Sequence, residues 1–438
     1  MSAPPRRNLA QRLARLAANL VYRDIDLQRT PGIDLDGPIL AVANHFGGLA
    51  DAVLIIDALP RMPRIVARDV IWQVPVVGRL PATIGMIPVH RSADGGRASN
   101  DDMFRSAYEA LGGDELVLIF PEGVTQDVPH MAQVRSGAAR IALGARASGV
   151  AGLRILPIGI HYEDKAGFRT RALVQLGEPI DLDAWAADRG EVAGADDRTA
   201  VAALTQVIDT ALRRAAPDFP DWASAQCLQA AAEVLLTDVA PQPPAAVQYG
   251  DLEVLAGRLN RAPQAAREPL VEVAGRYRQQ VRQARTSDLR VAEAAGLVRA
   301  PVGGRSRWVF DLVVAVLLLP YALIGALVAA LPLLAVIVAS RWRTAPAVRA
   351  TLVPGVALLT FLLEWGVFSW QSLRDGGWDT GTVAVLLFPF LVGSLFVVAE
   401  RATVLRTRWR SRRSPAGERQ ASLAALRAEL AERGWAAL

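Results

Sequence analysis

A histidine and an aspartate that could act as a base and its partner occur in the segment 44–51, which reads NHFGGLAD. The segment follows the apolar stretch Ile39–Ala43, and reactive groups of α/β proteins commonly lie just beyond the carboxyl end of a strand. The two glycines permit a tight turn, and a helix is predicted from Asp51 to Leu59. The spacing therefore predicts that the Asp51 carboxylate can fold back against the imidazole of His45.

Such a pair favours proton abstraction from a hydroxyl group. A carboxylate on one ring nitrogen fixes the tautomer of His45 and raises the basicity of the other nitrogen. No serine nucleophile lies nearby in the sequence, so the hydroxyl would belong to a substrate. The alternative is structural: Asp51 is a helix N-cap and His45 is a hydrogen-bonded turn residue.

A second carboxylate follows another predicted buried strand. The segment 116–123 reads LVLIFPEG, so an apolar run ends in a polar loop. Gly123 allows backbone amides to approach an anion, and Glu122 could hold a substrate hydroxyl or position a basic side chain. The alternative is an ordinary strand-to-loop turn with an exposed glutamate.

Two arginines are candidates for binding a phosphate group. Arg91 ends the segment Ile87–Arg91, and Arg135 precedes a predicted helix start at Ser136. Arginine can make a bidentate contact with phosphate, and the amides at a helix start also favour anions. The alternative for Arg91 is an ordinary surface arginine. The apolar segment Ile155–Ile160 is predicted to supply a wall of the same region.

Elements of α/β type must position these groups. Short apolar runs that end in loops alternate with helical patterns between Tyr22 and Ile180, which predicts a mostly parallel sheet flanked by helices. The predicted strands are Ile39–Ala43, Ile65–Ala67, Leu116–Phe120 and Ile155–Ile160, and the predicted helices are Ala50–Leu59, Ala98–Leu111 and Ser136–Ala147. The pattern predicts an α/β domain over residues 22–185 and a helical region over 186–304.

Composition indicates a lipid-facing part as well. With 52% hydrophobic and 21% charged residues, the chain is too apolar for a typical soluble enzyme and too charged for an all-membrane protein. The apolar excess lies in three runs, Trp308–Ala339, Ala350–Trp370 and Thr380–Ala399, of which the last two are each long enough to cross a bilayer. The single cysteine, Cys227, excludes an intramolecular disulfide, and the histidines show no zinc-site spacing.

The arrangement of these runs is predicted from the arginines that flank them. We expect transmembrane segments over 305–400, made of a hairpin at 308–340 bent between Pro320 and Gly325, and spans at 350–370 and 380–399. A single long tilted span over 308–340 is the alternative. Glu364 is either a functional carboxylate within the membrane or an interfacial one. Residues 401–438 are predicted to be a basic cytoplasmic tail.

The first 21 residues are predicted to form a basic amphipathic helix. Leucines at helical spacing oppose arginines, so the helix either lies on an anionic membrane surface or packs on the core of the protein. The net charge of +5 favours an anionic partner. No nucleic-acid partner is expected, because the arginines are dispersed or flank apolar runs without interleaved aromatic residues.

In this order, the segments resemble the four conserved blocks of the glycerolipid acyltransferase family. Asn44-His45…Asp51, Ile87–Arg91, Phe120–Gly123 and Ile155–Ile160 match them in turn, and Gly177-Glu178-Pro179 is similar to a segment that commonly closes the domain. Five residues separate His45 from Asp51, which looks like the fungal-type glycerol-3-phosphate acyltransferases and their bacterial relatives. The residues after Gly123 depart from the patterns of both that branch and the lysophosphatidate enzymes.

The resemblance implies an α/β acyltransferase domain followed by a helical region and transmembrane helices. It implies that His45 is the base and Asp51 its orienting partner, without a metal or a cofactor. The substrate-binding residues implied are Asn44, Arg91, Phe120, Pro121, Glu122, Gly123 and Arg135. The donor would be acyl-CoA or acyl-carrier protein, and the acceptor a glycerol-3-phosphate or lysophospholipid hydroxyl.

The resemblance also implies a lipid bilayer as partner and a multi-pass protein of the cell inner membrane, with its site facing the cytoplasm. A non-catalytic lipid-binding or scaffolding protein that keeps the acyltransferase fold is the alternative.

Overall fold

A computed structural model of the chain describes residues 5–69, 84–89, 100–124, 128–164, 169–190, 194–239, 247–298, 304–341, 346–410 and 418–438. The chain forms two compact units, residues 1–222 and residues 223–438.

A mostly parallel sheet of eight strands is the centre of the first unit, as the sequence predicts. The strand order is β1-β7-β6-β2-β5-β3-β4, and β8 pairs with β6; only the pairs that β6 makes with β7 and β8 are antiparallel. The strands are β1 (Tyr22–Arg29), β2 (Ile39–Ala43), β3 (Arg64–Arg68), β4 (Ile87–Val89), β5 (Leu116–Ile119), β6 (Arg154–Tyr162), β7 (Thr170–Leu176) and β8 (Ile180–Asp181).

Helices cover both faces of this sheet. They are α1 (Pro5–Val21), α2 (Leu49–Ala58), α3 (Asp101–Gly112), α4 (Gly137–Ala147), α5 (Leu182–Ala187) and α6 (Arg198–Ala215). Strand β2 shows why its sequence is a continuous apolar run: Leu40 and Val42 face one buried cluster, whereas Ile39, Ala41 and Ala43 face the other. A parallel strand that is buried on both faces has no position for a polar side chain.

Helix α1 presents two different faces. Ala10, Ala14 and Ala18 pack against the cluster beneath α2, and Gln11 donates from Nε2 to the carbonyl of Leu59 at 2.9 Å. On the other side, the large side chains of Leu9, Leu13 and Leu16 are exposed. The helix therefore packs on the core through its alanine face and leaves its leucine face uncovered.

The second unit contains a group of helices held around a buried ion pair. These are α7 (Trp222–Val239), α8 (Tyr249–Asn260), α9 (Gln264–Ala284), α10 (Asp288–Ala294) and α14 (Glu418–Ala437). Arg427 of α14 is buried and donates to both carboxylate oxygens of Asp288, at 2.8 and 3.2 Å, and to Asp238 at 2.6 Å. Tyr277 donates to the same Asp288 carboxylate at 2.7 Å. Each buried charge thus has charged and hydrogen-bonding partners, as burial requires.

The described residues of this unit also form three apolar helices: α11 (Gly304–Val328), α12 (Ala330–Arg341) and α13 (Pro346–Arg410). Within the described residues, Trp308–Val328 and Gly355–Thr403 are long and apolar enough to cross a membrane, and Ala330–Arg341 is a shorter apolar helix. Helix α13 is broken at Gly377, which has a φ of 77°.

The bend expected between Pro320 and Gly325 lies elsewhere, because α11 continues through both residues and ends at Val328. Proline is tolerated within apolar helices when neighbouring groups compensate for its missing N–H. Gly325 serves helix contact instead: a Cβ there would lie 2.2 Å from the carbonyl oxygen of Leu391. Helix α12 begins at Ala330, so Ala329 is the residue that joins α11 to α12.

Candidate active site

Polar residues of three neighbouring parallel strands meet at one edge of the sheet. Strand β2 lies between β5 and β6 and runs parallel to both, so the carboxyl ends of all three point the same way. Asn44 and His45 follow β2, Glu122 lies in the loop after β5, and Tyr162 ends β6. This is the edge at which open α/β sheets bind ligands.

His45 and Asp51 form the contact that their spacing predicts. Nδ1 of His45 lies 2.9 Å from Oδ2 of Asp51. The Asp51 side chain is fully buried, whereas that of His45 is 22% exposed. The carboxylate orients the imidazole through Nδ1, so Nε2 is the ring nitrogen that this contact leaves for another partner.

The loop that joins the two residues is shaped around the Asp51 carboxylate. The backbone N–H of Gly47 donates to both carboxylate oxygens, at 2.9 and 2.8 Å. Gly48 has a φ of 66° and precedes the first residue of α2. Asp51 lies in the first turn of α2 and is not its N-cap residue, so the capping alternative does not describe it.

Tyr162 is a member of the site that sequence reasoning missed. Its hydroxyl donates to Oδ1 of Asp51 at 2.5 Å. Burial, together with the nearby Asp51 charge, raises the pKa of Tyr162, so the phenol stays protonated and keeps donating. Tyr22 lies next to it, with ring centroids 5.9 Å apart, and burial raises its pKa as well. The available signal was position, because Tyr162 ends the apolar strand beside β2.

Glu122 is buried, contrary to the alternative of an exposed glutamate in a turn. One carboxylate oxygen accepts the backbone N–H of His45 at 2.9 Å, and the other accepts that of Ala132 at 2.7 Å. Burial raises the pKa of Glu122, and these two hydrogen bonds oppose that rise. The side chain therefore ties the loop after β5 to the histidine loop.

Asn44 and Phe120 complete the surroundings of the imidazole. Asn44 is buried and exchanges two hydrogen bonds with the backbone of Ile160, at 3.1 and 2.7 Å. Phe120 stacks on the His45 ring with centroids 4.2 Å apart. Asn44 thus fixes the end of β2 to β6, and Phe120 fixes the plane of the imidazole.

The remaining predicted residues lie around the Pro-Glu-Gly turn or outside the described residues. Gly123 has a φ of 65°, and a Cβ there would lie 3.6 Å from Nε of the exposed Arg135. Pro121 accepts the backbone N–H of Arg135 at 2.9 Å. Arg91 lies outside the described residues. The substrate-binding roles of Asn44, Phe120, Pro121, Glu122, Gly123, Arg135 and Arg91 stay predictions.

The described residues include no group of three or more His, Cys, Asp or Glu side chains that could hold a metal ion. His161, to which the sequence assigned no role, is buried with Nε2 2.8 Å from the carbonyl oxygen of Ala215. At the sheet edge the Asp51 carboxylate orients the partly exposed imidazole of His45. An imidazole held in this way can transfer a proton.

Known proteins with similar sequences share this part of the chain. Residues 21–161 match the family model described as Acyltransferase. Glycerol-3-phosphate O-acyltransferase 2 of Saccharomyces cerevisiae is 32% identical over 136 residues, which are 31% of this chain and 18% of that protein. Glycerol-3-phosphate O-acyltransferase 1 of the same yeast is 31% identical over 81 residues, 18% of this chain and 11% of that protein.

Among solved structures, the 1-acyl-sn-glycerophosphate (LPA) acyltransferase PlsC from Thermotoga maritima is similar with a TM-score of 0.33 and 18% identity. That similarity covers 47% of this chain and 80% of the other.

By the match to the family model, residues 21–161, with the His-Asp pair at the edge of their sheet, are an acyltransferase domain. Within this domain the sequence is similar to glycerolipid acyltransferases. The matched part spans less than a fifth of the length of the yeast relatives.

Proposed function

We propose that the protein is a membrane-bound acyltransferase. It transfers a fatty acyl group from acyl-CoA or acyl-carrier protein to the hydroxyl of a glycerol-3-phosphate or lysophospholipid acceptor in phospholipid synthesis. The observation that carries the proposal is the His45–Asp51 contact of 2.9 Å at the strand edge of an acyltransferase domain. The names of the yeast relatives support the glycerol-3-phosphate acceptor.

In this reaction His45 acts as the general base. Nε2 takes the proton of the acceptor hydroxyl while the oxygen attacks the thioester carbonyl, which forms a C–O bond and a tetrahedral intermediate. The intermediate collapses with cleavage of the C–S bond, and the imidazolium returns the proton to the leaving thiolate. Asp51 stabilises the imidazolium between these steps, and no acyl-enzyme is formed.

Binding of the phosphate is assigned to basic groups near the loop after β5. Arg135 is exposed beside Gly123, whose positive φ turns the backbone there. Arg91 is the second arginine proposed for this role. Arginine suits the phosphate because its planar guanidinium can donate two parallel hydrogen bonds to the phosphate oxygens.

The proposed reaction requires no metal or cofactor, because a thioester is already an activated acyl donor. The same proposal places the apolar helices in the inner membrane with the site on the cytoplasmic side. Its support is the length and apolar composition of Trp308–Val328 and Gly355–Thr403, together with arginines that follow the last apolar run.

Acyl transfer by the purified full-length protein tests this function. Two labelled donors are compared, acyl-CoA and carrier protein loaded with the same acyl group. Each is offered with glycerol 3-phosphate and with lysophosphatidate, and the acylated product is measured. We expect His45→Ala to lower kcat by about 10²- to 10⁴-fold, the usual contribution of a general base. Asp57→Asn is the control, because Asp57 lies on the same helix as Asp51 and pairs with the exposed Arg15.

The outcomes distinguish an acyltransferase from a non-catalytic lipid-binding or scaffolding protein of the same fold. Full activity of His45→Ala, or no acylation of either acceptor by the wild type, would contradict the proposal. Lipid binding without turnover that survives His45→Ala would instead support the non-catalytic alternative.

A further inference from the structure

The apolar helices leave one group of helices and return to it. Gln420, near the start of α14, donates from Nε2 to the carbonyl of Ala294, the last residue of α10, at 3.0 Å. Arg427 then pairs with Asp288 of α10. The chain between α10 and α14, which contains α11, α12 and α13, therefore begins and ends at one place. We call this place the base.

The segment α13 consists of two antiparallel helical arms that meet at Gly377. Each arm has about 30 residues and is roughly 45 Å long. The chain reverses at Gly377, and Thr380 donates to the carbonyl oxygens of Gly377 and Ser372, both at 3.1 Å. Farther along, the indole of Trp365 donates to the carbonyl of Val385 at 3.2 Å. Each arm exceeds the ~30 Å core of a bilayer.

Helix α11 runs from the base along the second arm of this hairpin. An ion pair joins Asp311, near the start of α11, to Arg401, near the base end of that arm. Farther in, Gly325 packs against the backbone of Leu391. Ala329, which joins α11 to α12, is buried in one cluster with Phe388. Along the second arm, Phe388 lies about 16 Å short of the turn at Gly377. Helix α11 therefore ends well before the far end of the hairpin.

Chain length then fixes the direction of α12. Ala329 and Phe361 both pack with Phe388, so they lie at similar heights. Pro346 begins the first arm about 22 Å from Phe361 toward the base, and α12 is about 18 Å long. If α12 continued away from the base, Arg341 and Pro346 would be roughly 40 Å apart, whereas five residue steps span at most about 18 Å. Helix α12 therefore runs back toward the base.

The exposed side chains of these helices are of the types that contact a lipid bilayer. Large apolar side chains such as Leu317, Leu327 and Leu386 are more than half exposed along their length. Trp378 is 81% exposed at the turn of the hairpin, where an indole fits the membrane–water interface. Arg341 and Arg401 lie toward the base, as expected for the cytoplasmic face.

We propose that residues 304–410 enter and leave a phospholipid bilayer on the same face, with only two full crossings. Helices α11 and α12 form a re-entrant pair whose bend at Ala329 lies inside the bilayer, and α13 forms a transmembrane hairpin. This topology rests on the membrane location in the proposed function. Three crossings would place α14 opposite α10, which the Gln420–Ala294 and Arg427–Asp288 contacts exclude.

Accessibility of single cysteines tests the topology in the full-length protein. Cys227→Ala removes the natural thiol, and Leu438→Cys, Ser340→Cys and Trp378→Cys are then introduced one at a time. Each variant is expressed in membranes and exposed to a membrane-impermeant maleimide from one face and then from the other. We expect Ser340→Cys to react from the same face as Leu438→Cys, and Trp378→Cys only from the opposite face.

Two labelling results would overturn the topology. Reaction of Ser340→Cys from the face of Trp378→Cys would mean that α11 and α12 span the bilayer. Reaction of Trp378→Cys from the face of Leu438→Cys would mean that α13 does not cross it. Because Ser340→Cys could itself disturb insertion, the neighbouring Arg341→Cys is a second reporter and must give the same face.

Extraction and activity separate this inference from the proposed function. If alkaline carbonate releases the wild type as a water-soluble oligomer, the apolar surface is covered by other copies of the chain, and the membrane proposal fails. Acyl transfer is measured on the same samples, so a wrong topology in an active protein leaves the proposed reaction standing.

Discussion

The carboxylate of Glu122 accepts the backbone N–H of His45 at 2.9 Å. The loop after β5 therefore holds the backbone of the loop after β2. The other oxygen of Glu122 accepts the N–H of Ala132, 10 residues farther along the chain. The buried Glu122 side chain, which the sequence predicts to bind substrate, therefore also supports the backbone of His45, the proposed general base.

Glu122→Gln tests this support. The amide nitrogen of glutamine can only donate, so it would face the N–H of either His45 or Ala132 and leave a buried donor unsatisfied. Such a group costs about 1–3 kcal/mol, and we expect kcat to fall about tenfold to hundredfold. The measurement is steady-state acyl transfer, and Glu115→Gln, at the other end of β5, is the control. Unchanged kcat would show that the Glu122 hydrogen bonds do not position His45.

Tyr162→Phe removes the hydroxyl that donates to Asp51 at 2.5 Å. The Asp51 carboxylate keeps its contacts with His45 and Gly47 but loses one of the hydrogen bonds that fix its orientation. We expect kcat to fall about tenfold, the effect of roughly 1.4 kcal/mol, with little change in KM. Tyr277→Phe removes a hydroxyl that likewise donates to an aspartate, Asp288, and should leave kcat unchanged. A rise in KM alone would place Tyr162 in substrate binding instead.

Gly47→Ala introduces a Cβ into the space between Asp51 and Tyr162. The added atom would lie 2.6 Å from the Tyr162 hydroxyl and 2.9 Å from Oδ1 of Asp51, which is too close for both. We expect the loop to shift and activity to fall by more than about tenfold, while far-ultraviolet circular dichroism stays unchanged. Gly112→Ala is the control, because its Cβ would have ordinary contacts at 3.7 Å. An active Gly47→Ala protein would mean that the loop can rearrange without cost.

Removing Arg427 should open the helices of the second unit locally. Arg427→Ala leaves the buried Asp288 carboxylate without its cation, a change that costs about 3–5 kcal/mol in buried pairs. The expected result is faster amide hydrogen exchange in α10 and α14. Arg433→Ala, on the exposed side of α14, removes only a pair within that helix and should leave exchange there unchanged. Equal exchange in the two variants would contradict the role of the buried pair.

Glu163 contributes to the stability of the sheet edge in a way that depends on pH. Burial alone would raise the pKa of Glu163, but hydrogen bonds and charges of Arg171 and Arg23 hold it below its ordinary value. Its stabilisation is therefore fully present above about pH 4.3 and is lost as the pH falls through the lowered pKa. Glu163→Gln should reduce amide protection in β1 at neutral pH by about 0.5–1 kcal/mol, and its difference from the wild type should shrink as the pH falls through the lowered pKa. A difference that persists in acid would contradict this assignment.

The central strands and the His-Asp pair could be predicted because their signals are local. Ile39–Ala43 is apolar at every position, since both faces of β2 are buried, and His45 and Asp51 are only six positions apart. Strand β1 escaped prediction because Tyr22–Arg29 is an edge strand with mostly polar, partly exposed residues.

The supports of the site depend on contacts between distant parts of the chain. Tyr162 meets Asp51 across 111 positions, and Glu122 meets His45 across 77. Neither pair leaves a spacing pattern, because the order of strands in the sheet brings them together. The bend expected between Pro320 and Gly325 is wrong because both residues look like helix breakers in the sequence, whereas α11 continues through them and Gly325 packs against the backbone of Leu391.

The pairing of Arg427 with Asp288 also sets an order of events during synthesis. The two residues are 139 positions apart, and the apolar helices lie between them. A ribosome that adds 5–20 residues per second needs about 7 to 30 seconds to reach Arg427 after Asp288. During that interval the Asp288 carboxylate must stay hydrated, so the helical group of the second unit can close only after the apolar helices have been made.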